Sequence, residues 1–242
     1  MTADLTFYFD PVCPFAWMTS KWVRQVADQR RYDVEWRFIS LRVINADVDY
    51  DAHFPPEYEA GHTAGLRLLR VAARVRDAGG PAAVGRLYEA LGRFIFEVDQ
   101  QPGRAERGTR EFLGPILAEI GLPADLVDAL DDEAADAVIR AETAEALALT
   151  GKDVGTPILH FRRPEDPGSE GTAFFGPVIS RLPSDEEAVA LWDHVLALAA
   201  FPGFAELKRS LRERPQLPAF GVREDQAGLQ EDWHGGSRRL KK

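Results

Sequence analysis

The residues best suited to chemistry lie in one stretch near the start of the chain, Asp10-Pro11-Val12-Cys13-Pro14-Phe15-Ala16-Trp17. It holds the single cysteine of the 242-residue sequence. Pro14 has no N–H to lose and a fixed φ that suits the first turn of a helix. Cys13 is therefore predicted at the helix N-cap, where unpaired N–H groups and the helix dipole favour a thiolate. The pattern predicts a reactive nucleophile with a lowered pKa.

An ordinary structural role for Cys13 is the alternative, because free cysteine is among the most buried residue types. Its place between a strand and a helix favours the reactive role instead. In residues 5–9, the apolar side chains of Leu5, Phe7 and Phe9 alternate with polar or smaller residues, as in a strand. The apolar side chains that follow recur at helical spacing, namely Trp17, Trp22, Val23 and Val26.

A second strand is predicted after this helix, because residues 33–41 alternate apolar and polar side chains and favour β-branched and aromatic types. Strand, helix and strand form a βαβ unit, which has parallel strands and a right-handed crossover. The Cys13 loop then lies at the carboxyl edge of the sheet, where α/β proteins bind ligands.

The middle of the chain is predicted to be mostly helical. Residues 43–56 read as a loop, and helical spacing then runs over residues 57–151, interrupted by glycine and proline and ending in a long helix over residues 131–150. The sheet is predicted to resume after Gly155-Thr156-Pro157, with a hairpin formed by residues 158–161 and 172–175.

The last part of the chain is predicted to hold two helices and a tail. Ser184 and Glu187 form a capping-box pattern at the start of a helix over residues 184–199. A short helix is predicted over residues 204–211, and a flexible or surface-draped tail from Arg214. The expected buried face of the first helix comprises Val189, Leu191, Trp192, Val195 and Leu196.

Composition narrows the class of protein. The sequence is 45% hydrophobic and 28% charged, as in globular proteins, and its net charge of −10 argues against broad nucleic-acid or membrane binding. No apolar run approaches the ~20 residues of a transmembrane helix, and no signal pattern opens the chain. One cysteine excludes an internal disulfide, as expected in a reducing, cytoplasmic setting. The five histidines lack metal-ligand spacing, so no metal is predicted.

Over roughly residues 4–200, this order of elements resembles the DsbA-like branch of the thioredoxin superfamily. The finer resemblance is to the actinobacterial mycothiol-dependent reductases known as nitroreductases. The motifs that carry it are the Cys13 stretch, Ser40-Leu41, Gly155-Thr156-Pro157 and Phe174-Phe175-Gly176-Pro177.

The resemblance implies an α/β, thioredoxin-like fold with a large helical insertion. Its thioredoxin-like domain would comprise residues 1–56 and 152–213, the helical domain residues 57–151, and a flexible C-terminal tail residues 214–242.

The resemblance also implies a cis peptide bond between Thr156 and Pro157, facing Cys13, so that the backbone of Thr156 pairs with a thiol substrate. An ordinary trans proline is the alternative. Ala16 stands where the usual Cys-x-x-Cys has its second cysteine. A mixed disulfide on Cys13 must then be resolved by a thiol from solution. The implied donor is mycothiol, and glutathione is its equivalent where mycothiol is absent.

Further contacts with the substrate or thiol are predicted for Pro14, Phe15, Trp17, Asn45 and Tyr58. Asn45 and Tyr58 either reach over the Cys13 loop or serve as a loop cap and a packing tyrosine. Phe15, on an exposed turn, is predicted to form a wall for a flat substrate, and Trp17 forms either such a wall or part of the core.

The predicted function is a thiol-dependent oxidoreductase in which Cys13 and a low-molecular-weight thiol reduce a disulfide or a small electrophilic or nitro substrate. One alternative is a kappa-type glutathione transferase or 2-hydroxychromene-2-carboxylate isomerase, which has serine where this chain has Cys13. The other is a non-catalytic thioredoxin-fold binding module. The sequence does not specify the substrate, the donor thiol, whether the enzyme is fully active with Ala16, or whether it forms a homodimer.

Overall fold

The computed structural model describes residues 3–162, 171–209, 211–221 and 230–232. Its main sheet has the strand order β2-β1-β3-β4. β1 and β2 are parallel, whereas β1–β3 and β3–β4 are antiparallel. The strands of this sheet are β1 (Leu5–Phe9), β2 (Val34–Phe38), β3 (Ile158–Phe161) and β4 (Thr172–Phe175).

Eight α-helices surround or extend this sheet in the described part of the chain. They are α1 (Pro14–Ala27), α2 (Leu41–Ile44), α3 (Tyr50–His53), α4 (Tyr58–Gly79), α5 (Pro81–Phe96), α6 (Arg110–Glu119), α7 (Asp136–Thr150) and α8 (Asp185–Ala200). The predicted βαβ unit and hairpin are confirmed. None of these helices is both long and apolar enough to cross a bilayer.

The core forms where β1 meets α1 and α5. All five residues of β1 are buried, since helices and neighbouring strands cover it. On one side of this core, Phe9 stacks on Tyr88 of α5 with ring centroids 3.9 Å apart, and Tyr88 meets Trp36 of β2 edge-on. On another, the indole of Trp22 donates a hydrogen bond to the carbonyl oxygen of Ala188 in α8.

Helix α7 is tied to the end of β2 by two buried side chains. Glu142 accepts the N–H of Phe38 at 2.8 Å and binds the guanidinium of Arg76 at 2.7 Å. The hydroxyl oxygen of Thr143 accepts the N–H of Ser40 at 3.0 Å. The end of β2, which pairs with the end of β1 just before the Cys13 loop, is therefore held by a helix from the middle of the chain.

The predicted loop over residues 43–56 is wrong in part, because it contains the end of α2 and all of α3. Each short helix starts at a side-chain cap: the hydroxyl of Ser40 accepts the N–H of Val43, and Asp49 accepts the N–H of Ala52. The predicted helix over residues 131–150 starts as α7 at Asp136, after 3₁₀ turns.

The buried face predicted for α8 is also partly wrong, although its capping box is confirmed. Trp192 is buried, but Leu191 and Leu196 are exposed, and the buried positions beside Trp192 are the small residues Ala188 and Ala199. The small side chains of Ala188 and Ala199 allow α1 to pack closely on α8. The buried face of α8 is therefore narrow, and Leu191 and Leu196 lie beside it, exposed to solvent.

The short helix predicted over residues 204–211 is not formed. Residues 204–209 are irregular, and β5 (Leu211–Glu213) pairs antiparallel with β6 (Gln230–Asp232). A short isolated helix needs a buried apolar face, yet Leu207 is 78% exposed.

The prediction of a tail that is flexible or surface-draped from Arg214 is wrong for its first residues. Leu217 and Ala219 belong to the core, and the N–H of Gln216 donates to the carbonyl oxygen of Ser180. Residues 222–229 and 233–242 of the predicted tail, and 163–170 of the predicted turn, lie outside the described residues.

Candidate active site

Cys13 caps α1 at the carboxyl end of β1. The motif places it there because Pro14 is the first residue of the helix and the N–H of Cys13 donates to the carbonyl oxygen of Asp10 at 3.1 Å. Its Sγ atom accepts the N–H of Ala16 at 3.5 Å and donates to the carbonyl oxygen of Thr156 at 3.4 Å. The predicted N-cap position of Cys13 is therefore confirmed.

The predicted lowering of the Cys13 pKa is wrong for this structure. Cys13 is only 7% exposed, and burial raises the pKa of its thiol to about 12. The N–H groups of Ala16 and Phe15 act in the opposite direction, and the nearby carboxylate of Asp10 adds to the rise. Helix-start N–H groups do face the sulfur, but the loss of hydration outweighs them. Cys13 is therefore a neutral thiol in this closed arrangement.

The loop that contains Thr156 and Pro157 lies opposite Cys13 and is held by hydrogen bonds to β1 and to Gly176. The Thr156–Pro157 peptide bond, for which the resemblance implies the cis form, is cis in the structure. The hydroxyl of Thr156 donates to the carbonyl oxygen of Tyr8 in β1, and the carbonyl oxygen of Pro157 accepts the N–H of Gly176 at 2.9 Å. The Gly176–Pro177 bond is cis as well, which the sequence analysis does not predict.

Pro14, Phe15 and Trp17 occupy different environments beside Cys13. Pro14 and Phe15 are half-buried, and Phe15 packs against the edge of the core. Trp17 is 2% exposed; its indole N–H donates to the carboxylate of Glu97 at 2.8 Å. Trp17 thus extends from α1 and packs against α5 as a core residue.

Asn45 and Tyr58 make the local contacts expected of a loop cap and a packing tyrosine. Asn45 is buried at the end of α2, where its side-chain amide donates to the carbonyl oxygen of Leu41 at 2.7 Å. Tyr58 stacks on Phe54, and the guanidinium of Arg104 lies 4.2 Å from its ring centroid. A contact of Asn45 or Tyr58 with a ligand stays a prediction.

Asp10 is a residue of the site that the sequence analysis did not single out. It is fully buried, and its carboxylate accepts the N–H groups of Val12 at 3.0 Å and Leu41 at 2.7 Å. Burial raises its pKa to about 7, although both N–H groups lower it. The available signal was a carboxylate placed directly after the wholly apolar end of β1, three residues before Cys13.

The side chains around Cys13 offer a nucleophile and hydrogen-bonding groups rather than a metal site. Among the described residues, no three or more His, Cys, Asp or Glu side chains are grouped closely enough to hold an ion. The arrangement can hold a sulfur atom between the helix-start N–H groups and the carbonyl oxygen of Thr156. Thiol–disulfide exchange at Cys13 additionally requires access to the sulfur and its ionisation, because the thiolate is the attacking species.

Comparison with known proteins identifies the family of this chain. The model of the Rv2466c-like family, described as mycothiol-dependent nitroreductase Rv2466c, matches residues 12–209. The uncharacterized protein Rv2286c of Mycobacterium tuberculosis (strain ATCC 25618 / H37Rv) is 32% identical over 214 residues, which cover 88% of this chain and 82% of that protein.

The fold has a solved counterpart. The crystal structure of a candidate protein disulfide isomerase from Nitrosomonas europaea superposes with a TM-score of 0.50 at 15% identity. The superposition covers 81% of this chain and 98% of that one. The predicted DsbA-like, thioredoxin-type architecture is confirmed. The chain therefore belongs to the Rv2466c-like family and is a thiol oxidoreductase with a DsbA-like fold.

Proposed function

We propose that this enzyme is a monothiol reductase, in which Cys13 attacks a substrate and an external thiol completes the turnover. The observation that carries the proposal is the environment of the single cysteine. Its sulfur contacts the N–H of Ala16, at the position of the usual second cysteine, and the carbonyl oxygen of Thr156. The chain has no second thiol to close an internal disulfide.

With a disulfide substrate, the electrons balance in two exchange steps. The Cys13 thiolate attacks one sulfur, forms a mixed disulfide, and releases the other sulfur as a thiolate that takes up a proton. A first external thiol then displaces the remaining substrate half and becomes disulfide-bonded to Cys13. A second external thiol releases Cys13, so one substrate disulfide is reduced while two thiols form one disulfide.

Activation of Cys13 requires hydration, because its pKa of about 12 in the closed site reflects burial above all. Entry of water reduces that penalty, while the N–H groups of Ala16 and Phe15 continue to stabilise the thiolate. The N–H groups at the start of α1 thus stabilise the Cys13 thiolate effectively once water reaches the site. Nucleophile formation is then coupled to opening of the site to water.

We propose mycothiol as the donor, on the strength of the family description, and a small electrophile, a nitro compound included, as an additional substrate class. Each pair of electrons delivered to such a compound again comes from two thiols that form one disulfide. A dependence on reduced thiol suits the cytoplasm, where we place the enzyme.

The substrate is proposed to contact the half-buried surface of Pro14 and Phe15 and the backbone of Thr156 and Pro157. Pro14 and Phe15 retain exposed surface next to the sulfur, whereas Trp17 is enclosed by α5. We therefore assign Trp17 a supporting role at the base of the site.

Intact mass spectrometry tests the donor. The reduced protein is incubated separately with the disulfides of mycothiol, glutathione and coenzyme A, so that each adduct on Cys13 releases one thiol, alongside Cys13→Ser, which is expected to fold but cannot form a disulfide. We expect one stable adduct on the natural protein with mycothiol and none on the variant. An absence of adduct with every thiol, or no dependence of turnover on added thiol, would refute the monothiol proposal.

A further inference from the structure

Asp10 accepts hydrogen bonds from three backbone N–H groups of the site. Its backbone carbonyl oxygen accepts the N–H of Cys13 at 3.1 Å. Its carboxylate oxygens accept the N–H groups of Val12, in the Cys13 loop, and of Leu41, at the start of α2. A single fully buried residue therefore satisfies backbone groups from two segments that are distant in sequence.

Helix α4 closes over this junction. Gly65 of α4 lies so near that an added Cβ would be 2.7 Å from Oδ1 of Asp10 and 2.8 Å from Cγ2 of Val12. Real Cβ atoms do not approach other atoms this closely, so only glycine fits at position 65. Helix α4 therefore packs directly against both the Asp10 carboxylate and the Cys13 loop.

We propose that Asp10 is a positioning residue that holds the Cys13 loop against the start of α2 and under α4, and thereby keeps the thiol in its closed arrangement. The inference rests on the proposed role of Cys13 as the nucleophile. Asp10 does not touch the Cys13 sulfur in any described contact, so it acts through the loop and through its charge.

Three titratable groups face Asp10 from the elements around it: Cys13 in its own loop, Tyr50 in α3 and Tyr88 in α5. Burial raises the pKa of both tyrosines, so they carry no charge near neutral pH. The pKa of Asp10 is itself raised to about 7, so above that pH its negative charge acts on Cys13, where it disfavours a second negative charge. Removing it lowers the pKa of the thiol.

The decisive variant is Asp10→Asn, which keeps the size of the side chain. An amide has one acceptor oxygen and one NH₂ donor, so either Val12 or Leu41 loses its acceptor and faces a donor. Both the loosened loop and the lost charge favour the thiolate. We expect iodoacetamide to alkylate Cys13 about tenfold faster than in the natural protein between about pH 8 and 9, where Asp10 of the natural protein is ionised, equivalent to about one pKa unit.

Gly65→Ala perturbs the same junction without changing Asp10. The added methyl group displaces the carboxylate and Val12, so we expect Cys13 to be alkylated at least about threefold faster, which corresponds to about half a pKa unit. Its matched control is Gly114→Ala in α6, where an added Cβ meets nothing within 4 Å and alkylation is expected to be unchanged.

Circular dichroism and urea unfolding establish that each variant is folded before its alkylation rate is compared. A folded Asp10→Asn protein with the natural rate and pH profile would overturn the proposal, since a merely structural residue would alter stability alone. If Asp10→Asn does not fold, Gly65→Ala decides, and a rate equal to that of Gly114→Ala overturns the proposal. Alkylation needs neither donor nor substrate, so this result is independent of whether the reductase proposal succeeds.

Discussion

Trp17 of α1 lies directly against the backbone of Gly92 in α5, so closely that a β-carbon at position 92 would be 2.1 Å from Cε3 of the indole. The indole N–H meanwhile donates to Glu97, just beyond the end of α5. Lys21, one turn further along α1, binds the same carboxylate oxygen at 2.7 Å. The helix that carries Cys13 is therefore locked to α5 through a site where glycine is required.

Replacing Gly92 by alanine should destabilise the fold, because the methyl group overlaps the indole of Trp17. Overpacking costs about 1–3 kcal/mol, which outweighs the gain of up to ~1 kcal/mol from a better helix former. Urea unfolding should show a lower free energy of unfolding for Gly92→Ala. In Gly114→Ala, where the space is open, stability should be equal or slightly higher. Equal stability of the two variants would contradict the contact.

The reactivity of Cys13 in the unliganded enzyme should keep increasing with pH. The thiolate is the attacking species, and burial raises the pKa of the thiol to about 12, so the thiolate fraction rises about tenfold per pH unit well into alkaline solution. The logarithm of the iodoacetamide rate should rise linearly from about pH 7 to 10, whereas a free thiol of pKa ~8.5 levels off. A plateau anywhere below about pH 10 would contradict the raised pKa of the Cys13 thiol.

Introducing a second thiol with Ala16→Cys should create an internal disulfide to Cys13. The N–H of Ala16 already contacts the Cys13 sulfur, so the new side chain starts one turn along the helix from it. A mixed disulfide on Cys13 should then be released without added thiol, whereas it persists in the natural protein. Mass spectrometry of the trapped adduct over time measures both lifetimes. Ala16→Ser is the matched control, and release as rapid from it as from the cysteine variant would contradict the exchange mechanism.

Removal of the Glu142 carboxylate should be among the most destabilising changes outside the site. Glu142 is 4% exposed, and its loss leaves the N–H of Phe38 and the guanidinium of Arg76 without this partner. Leaving the buried N–H of Phe38 without an acceptor costs about 1–3 kcal/mol, and loss of the partly buried ion pair with Arg76 adds to it. Glu119→Ala, which removes an exposed partner of Arg93, should cost less than about 1 kcal/mol. Similar unfolding free energies for the two variants would argue against the role of Glu142.

The local elements of this protein are determined by short stretches of its sequence. The alternating residues of β1, the Cys13-Pro14 helix start and the Ser184–Glu187 capping box are each defined within a few positions of the chain. Steric and hydrogen-bonding preferences act over those same few positions, so the pattern of residue types is sufficient to predict them. The βαβ unit follows from the same patterns because its chirality has one strongly favoured solution.

The chemical state of Cys13 was decided only by the tertiary structure. The helix start that favours a thiolate is visible in the sequence, but the partner of the sulfur is the carbonyl oxygen of Thr156, 143 residues away. Likewise, Asp10 is joined to Leu41, and α4 packs against Asp10 and Val12. The pKa of a group depends on how much water its neighbours exclude, and chain folding brings those neighbours from distant segments, so a local pattern predicted the cap of Cys13 and missed its burial.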